Sequence, residues 1–211
     1  SDAINQGFSM AKGDILGWLN SDDMYLPGTL DYISEKFNAI QGKNNIVFGN
    51  CIHINESNLK VYGSNVVDCH SCLDIDLCGY IIQPGSFWDR SAWEVTGKLR
   101  EDMHYAFDWD WFIRAKRQSV IFNPCSKYLS VYRIHPSHKT GTGGPKAFQE
   151  ISDIYKTYKG LHIADVHRRF YENRVQKFLR TLRGYDKFKY FVWFFFFRDI
   201  TFKEFDNIRR M

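Results

Sequence analysis

Two aspartates stand side by side in "WLNSDDMYLPGTL", directly after the apolar run that ends at Leu19. Adjacent like charges at the end of a core strand disfavour one another's ionised form unless something neutralises them. Loops diverge at the carboxyl ends of sheet strands, and ligands bind there. Paired carboxylates in that position suit a hard divalent cation, Mg²⁺ or Mn²⁺, held together with phosphate oxygens of a substrate. The competing reading is structural, because Asp22 and Asp23 could simply cap a helix that starts near Leu26.

A second carboxylate pair occurs in "EDMHYAFDWDWFIR", where Asp108 and Asp110 fall in the first turn of an expected helix. The helix dipole favours ionised carboxylates there. Residues two apart do not share a helix face, so one can point into a cleft while the other caps the helix or pairs with Arg114, four residues on. A carboxylate in a partly dry cleft can act as general base toward a hydroxyl. The third cluster is "YRIHPSHKTGTGG", in which Arg133, His135 and Lys139 bring two cations and an imidazole to a strand end and a glycine-rich loop. Such groups suit a diphosphate, and histidine can ligate Mn²⁺. The loop lacks the order of a P-loop, and alone it would read as plain surface.

The elements that must carry these residues follow from periodicity. Residues 3–11 have the spacing of an amphipathic helix stopped by Gly13, and Asp14–Asn20 reads as a buried strand. A helix is expected over Pro27–Ile40, with Leu30, Ile33, Phe37 and Ile40 on one face. Asn45–Asn55 and Asn58–Ser64 form an expected hairpin, and Cys69–Gly79 reads as irregular. Tyr80–Arg90 contains a strand broken at Pro84, followed by a short helix from Ser91 to Gly97. Phe107–Gln118 is the helix with the acidic first turn, and "SVIFNP" and "YLSVYRIH" are two further strands. Alternating strands and helices give an α/β sheet domain over residues 1–144, with a helical, basic and aromatic extension over 145–211.

Composition limits the partners. Of the 211 residues, 44% are hydrophobic and 25% charged, as in a folded globular chain. No apolar run reaches the roughly 18 residues that span a bilayer, and the polar first residues do not resemble a signal peptide. An opening helix with no preceding strand is expected to be the start of a fragment. The charge is uneven: residues 1–155 carry 14 Lys/Arg against 18 Asp/Glu, and residues 156–211 carry 14 against 6. A basic tail with seven consecutive apolar residues in "YFVWFFFF" fits an anionic membrane surface and packing on the sheet domain or on a second subunit equally well. No nucleic-acid reader motif is present, so nucleic acid is not expected as a partner. The stretch "CHSCLDIDLC" lacks the second CxxC knuckle of a zinc ribbon, so the five cysteines read as reduced thiols of a cytoplasmic protein.

Taken in order, "SDAINQGFSMAKGDILGWLNSDDMYLPGTL", "IIQPGSFWDRSAWEVTGKL", "FDWDWFIRA" and "YRIHPSHKT" resemble bacterial family 2 glycosyltransferases. The resemblance covers about residues 1–140 and implies a GT-A, Rossmann-like nucleotide-diphospho-sugar transferase sheet whose first strands are missing. It implies that "SDD" is a DxD-type motif, with Asn20 and Asp22 toward the nucleotide and Asp23 on the cation, Mn²⁺ or Mg²⁺. Asp108 then matches the catalytic base of inverting members. Arg133, His135 and Lys139 close over the diphosphate, with His135 available to the metal, and Gln83, Pro84, Trp88 and Asp110 lie on the acceptor side. The implied partners are a nucleotide-sugar donor and a saccharide or lipid-linked acceptor, in cell-surface polysaccharide or glycolipid assembly at the inner face of the plasma membrane. A nucleotidyltransferase also uses paired carboxylates but leaves "FDWDWFIR" and "QPGSFW" without a task. A truncated, non-catalytic module kept for its tail is the other alternative.

Overall fold

The computed structural model describes residues 1–136, 143–172 and 189–210, which divide into two compact units. The first comprises residues 1–72 and 80–147, the second residues 73–79 and 148–211.

The first unit is a mixed sheet with helices. In chain order its elements are α1 (Asp2–Met10), β1 (Ile15–Leu16), β2 (Met24–Tyr25), α2 (Thr29–Ala39), β3 (Asn45–Ile54) and β4 (Lys60–Gly63). There follow α3 (Val66–Cys72), a 3₁₀ turn (Gln83–Gly85), β5 (Ser86–Asp89), α4 (Arg90–Thr96), α5 (Phe107–Arg117) and β6 (Ile121–Arg133). The strand order is β1-β5-β3-β6-β2, with β4 paired to β3 in the expected hairpin. β3 and β6 run parallel, and the other pairs are antiparallel. Because β3 lies between two strands and under helices, nearly all of its ten residues are buried, and no alternation of faces survives.

Four expectations need correction. The strand expected over Asp14–Asn20 keeps sheet pairing only at Ile15 and Leu16. Beyond them the Trp18 carbonyl accepts a hydrogen bond from the Gln83 side chain (2.7 Å) instead of from a strand. The two strands expected on either side of Pro124 form one, because a bulge absorbs the proline. Phe48 pairs with Pro124 and Asn50 with Tyr128, so β6 supplies extra residues, and the Asn50 amide donates to the Ser126 carbonyl (2.8 Å). Helix α4 is capped by Asp89, whose carboxylate accepts from Ala92 N (2.7 Å), where Ser91 was expected. On α2, Ile33 is buried but Leu30 is 61% exposed, so the apolar face is narrower than its spacing implied.

The core near β1 and β5 is aromatic. Trp88 and Trp111 are completely buried, with ring centroids 4.6 Å apart, and Phe8, Trp18 and Trp93 surround Trp88. Five rings from α1, β5, α4, α5 and the segment after β1 thereby fix the start of α5 against that segment, since Phe107 stacks on Trp18 (6.3 Å, 30°).

The second unit is helical: α6 (Gly144–Tyr158, its first four residues assigned to the first unit), α7 (Leu161–Glu172), α8 (Lys189–Phe196) and α9 (Phe202–Ile208). Residues 73–79 are tied into it, because Tyr155 Oη donates to the Leu77 carbonyl (2.7 Å) and Asp74 N donates to Asn207 Oδ1 (2.6 Å). Thr201 and Glu204 form a reciprocal capping box at the start of α9. Among the described residues no helix is long and apolar enough to cross a membrane.

Candidate active site

Asp23 lies immediately before β2, where pairing of Met24 with Val131 brings it beside the end of β6. It is only 6% exposed. Both carboxylate oxygens are held by neutral donors: Oδ1 accepts from Arg133 N (3.1 Å) and Oδ2 from Asn20 Nδ2 (3.1 Å). Burial pushes its pKa above the ordinary carboxylate value, and the neighbouring Asp22 charge adds to that, against the lowering effect of the two hydrogen bonds.

Asp22 is the accessible member of the pair, with a side chain 39% exposed. Its Oδ2 lies 3.1 Å from His135 Nε2, and its carbonyl accepts from Arg133 Nε (3.3 Å). Asn20, Asp22, Asp23, Arg133 and His135 thus converge through contacts spanning more than a hundred positions of sequence. His135 reaches the site through the Asp22 carboxylate. Lys139 lies outside the described residues.

Sequence reasoning missed Asn58. It sits in the β3–β4 turn with φ +60°, and its Oδ1 accepts from Arg133 Nη1 (2.6 Å). The guanidinium is therefore braced between the hairpin turn and the Asp22 carbonyl. An asparagine after "NES" marks a turn in sequence, but nothing local ties that turn to Arg133.

Gln83, Pro84 and Trp88 were expected on the acceptor side, and all three are buried. Trp88 belongs to the aromatic core, because β5 is an inner strand covered by helices. Gln83 faces the carboxylate pair instead: its Oε1 accepts from Asn20 Nδ2 (3.3 Å) while its Nε2 donates to Trp18 O. Asp110 was also expected there, but it has no exposed surface. Its Oδ2 accepts from Arg114 Nε (2.8 Å), Arg100 lies 3.7 Å from its Oδ1, and Arg114 goes on to the Thr96 and Lys98 carbonyls. It is a buried ion pair that locks α5 to the preceding segment, the structural alternative raised by its spacing to Arg114.

Asp108 is half-buried in the first turn of α5, and its Oδ1 accepts from Trp109 N (2.8 Å). Its neighbour Phe107 stacks on Trp18, two residues before Asn20, so the helix start approaches the carboxylate segment. An open cavity of about 350 Å³ lies along α1 and residues 15–20, lined by Phe8, Leu16, Trp18 and Asn20 among others. Among the described residues no group of three or more His, Cys, Asp or Glu side chains is arranged so as to hold a metal ion. The two adjacent carboxylates differ in setting: Asp23 is desolvated, hydrogen-bonded by neutral donors and under the influence of the Arg133 charge, while Asp22 faces His135.

Comparison with known proteins bears on the family and the fold. The family model for glycosyl transferase family 2 matches residues 1–75. A curated Rickettsia typhi protein named as an uncharacterized glycosyltransferase is 26% identical over 153 residues, which is 66% of this chain and 46% of that protein. The chain thus spans about half the length of that relative. A crystal structure of S. aureus TarS residues 1–349 is 13% identical, covers 97% of this chain and 67% of that one, and superposes with a TM-score of 0.50. That likeness concerns the fold, a GT-A-type α/β sheet domain with a helical C-terminal part. Residues 1–75 thus match glycosyl transferase family 2, and the curated relative and the fold are similar in the same direction.

Proposed function

We propose that the protein transfers a sugar, with inversion, from a nucleotide-diphosphate donor to an acceptor hydroxyl, and that Mn²⁺ or Mg²⁺ assists. The observation that carries this reading is the convergence of Asn20, Asp22, Asp23, Arg133 and His135 on one strand-end site. Asp23, its carboxylate fixed by two donors, would hold the cation, since a carboxylate has about four lone-pair positions and only two are used. The bound cation would neutralise charge on the donor diphosphate. Asp22, steadied by His135, would face the donor's ribose. Lys139 would add a cation toward the diphosphate. Asp108 would take the acceptor proton as the new glycosidic bond forms on the face opposite the leaving group, which gives a single displacement. Asp108→Asn is the test. Nucleoside diphosphate binding with Mn²⁺ is expected to persist while transfer is lost, and retained transfer would remove Asp108 from the role.

A membrane-borne acceptor is favoured by α8. Val192 and Phe197 pack inward, whereas Phe191, Phe194 and Phe195 are 53%, 55% and 61% exposed. Packing and exposure therefore divide the aromatic run between two faces. With Lys189 and Arg198 beside them and an excess of basic residues from 156 to 211, these rings suit the headgroup region of an anionic bilayer. A site at the inner face of the plasma membrane and a lipid-linked acceptor in polysaccharide or glycolipid assembly would follow. Flotation with anionic vesicles is expected to fall when Phe191, Phe194 and Phe195 are changed to Ser. Unchanged flotation would assign these rings to a protein contact.

A further inference from the structure

The amide groups near the carboxylate pair have only one consistent orientation. The Trp18 carbonyl can only accept, so the Gln83 group 2.7 Å from it must be the NH₂. Gln83 Oε1 is then turned toward Asn20, and the Asn20 group facing it at 3.3 Å must donate. The same Asn20 nitrogen lies 3.1 Å from Asp23 Oδ2, which accepts. Both Nδ2 protons of Asn20 are thereby used, one on Gln83 and one on Asp23. Asn20 is exposed, and among the described residues nothing donates to its Oδ1.

We propose that Gln83 is a positioning residue that acts through Asn20. It fixes the Asn20 amide with nitrogen inward, so that Asp23 is held in one rotamer and Asn20 presents only a hydrogen-bond acceptor to the ligand. The group recognised by Asn20 is then a hydrogen-bond donor, a sugar hydroxyl if the donor-site reading above holds, on which this ligand assignment rests. Gln83 itself is 7% exposed, so it acts from behind Asn20. A glutamate at position 83 would face the Trp18 carbonyl with an acceptor, and a methionine would satisfy neither neighbour. With methionine, Asn20 keeps only its bond to Asp23, and its second Nδ2 proton is left without an acceptor.

Two readouts on the full chain test this. The first is the side-chain amide signal of Asn20 in ¹⁵N NMR, assigned with N20A. Both protons are expected to be protected from solvent exchange in the wild type, and the protection is expected to fall about tenfold in Q83M. The second is the affinity for Mn²⁺ with uridine or guanosine diphosphate. Q83M and N20A are each expected to weaken binding about tenfold, with the double variant no more than about twofold worse than either single one. Multiplying losses would show that Gln83 acts independently of Asn20 and would overturn the proposal. An unprotected Asn20 amide in the wild type would do the same. If Q83M fails to fold, Q83S serves, because its side chain is uncharged and too short to reach Asn20; wild-type affinity there refutes the proposal. A protected amide without any Mn²⁺-dependent nucleotide binding would leave the network standing and overturn the donor-site reading and the ligand assignment with it.

Discussion

Acid should weaken the helical unit through one histidine. His167 on α7 is 5% exposed, its ring stacks 4.9 Å from that of Phe148 and lies 5.0 Å from that of Tyr155, and its Nδ1 is buried without a hydrogen-bond partner. Burial pushes its pKa down to about 4. The unfolded chain takes up this proton near the ordinary value of about 6.5, and the folded chain only near 4. The neutral form therefore favours folding fully above about pH 6.5, and that advantage is lost as the pH falls toward 4. The gap of about 2.5 units corresponds to about 3 kcal/mol at its limit. His167→Phe keeps a ring between its neighbours and cannot titrate. Urea denaturation followed by far-UV circular dichroism, from about pH 7.5 to about pH 4, would compare the two proteins. Depressed carboxylates such as Asp165 and Asp206 also cost stability in acid, but they are common to both and cancel in the difference. The variant should gain about 3 kcal/mol on the wild type across this range. A difference curve flat to within about 0.5 kcal/mol would refute the assignment of the cost to His167.

Four further outcomes follow from the same coordinates. Asp110→Asn leaves Arg114 and Arg100 without the buried charge that faces them and should destabilise the protein by about 3–5 kcal/mol, measured by urea denaturation. Gly49→Ala places a methyl group 2.7 Å from the Lys127 carbonyl and 2.6 Å from Leu129 Cδ1, and should cost about 1–3 kcal/mol in the same assay. Because burial raises the pKa of Asp23, folding is opposed by its ionised form as the pH rises through that raised value. Mn²⁺ should then raise the melting temperature near neutral pH in the wild type and not in Asp23→Asn. Asn58→Gly frees one side of the Arg133 guanidinium while fitting the φ of +60°, and should weaken Mn²⁺–nucleoside diphosphate binding several-fold in calorimetry with little change in melting temperature.

Much of the fold was legible because its signals are local. The spacing of Ala3, Ile4, Phe8 and Ala11 marked α1, the acidic first turn marked α5, and the i,i+4 relation of Asp110 to Arg114 was readable as an ion pair. The order of four motifs carried the resemblance to family 2 glycosyltransferases, which the match over residues 1–75 supports. Tertiary structure alone decided which carboxylate is buried, that Trp88 is core, that Asn58 braces Arg133, and that Gln83 faces Asn20 across 63 positions of sequence. The reason is physical. Periodicity and capping are set by neighbours within one turn, whereas the partner of a given amide depends on which carbonyl the sheet leaves unpaired. That is known only when the strand ends, as β1 does at Leu16, and the chain has folded back on itself.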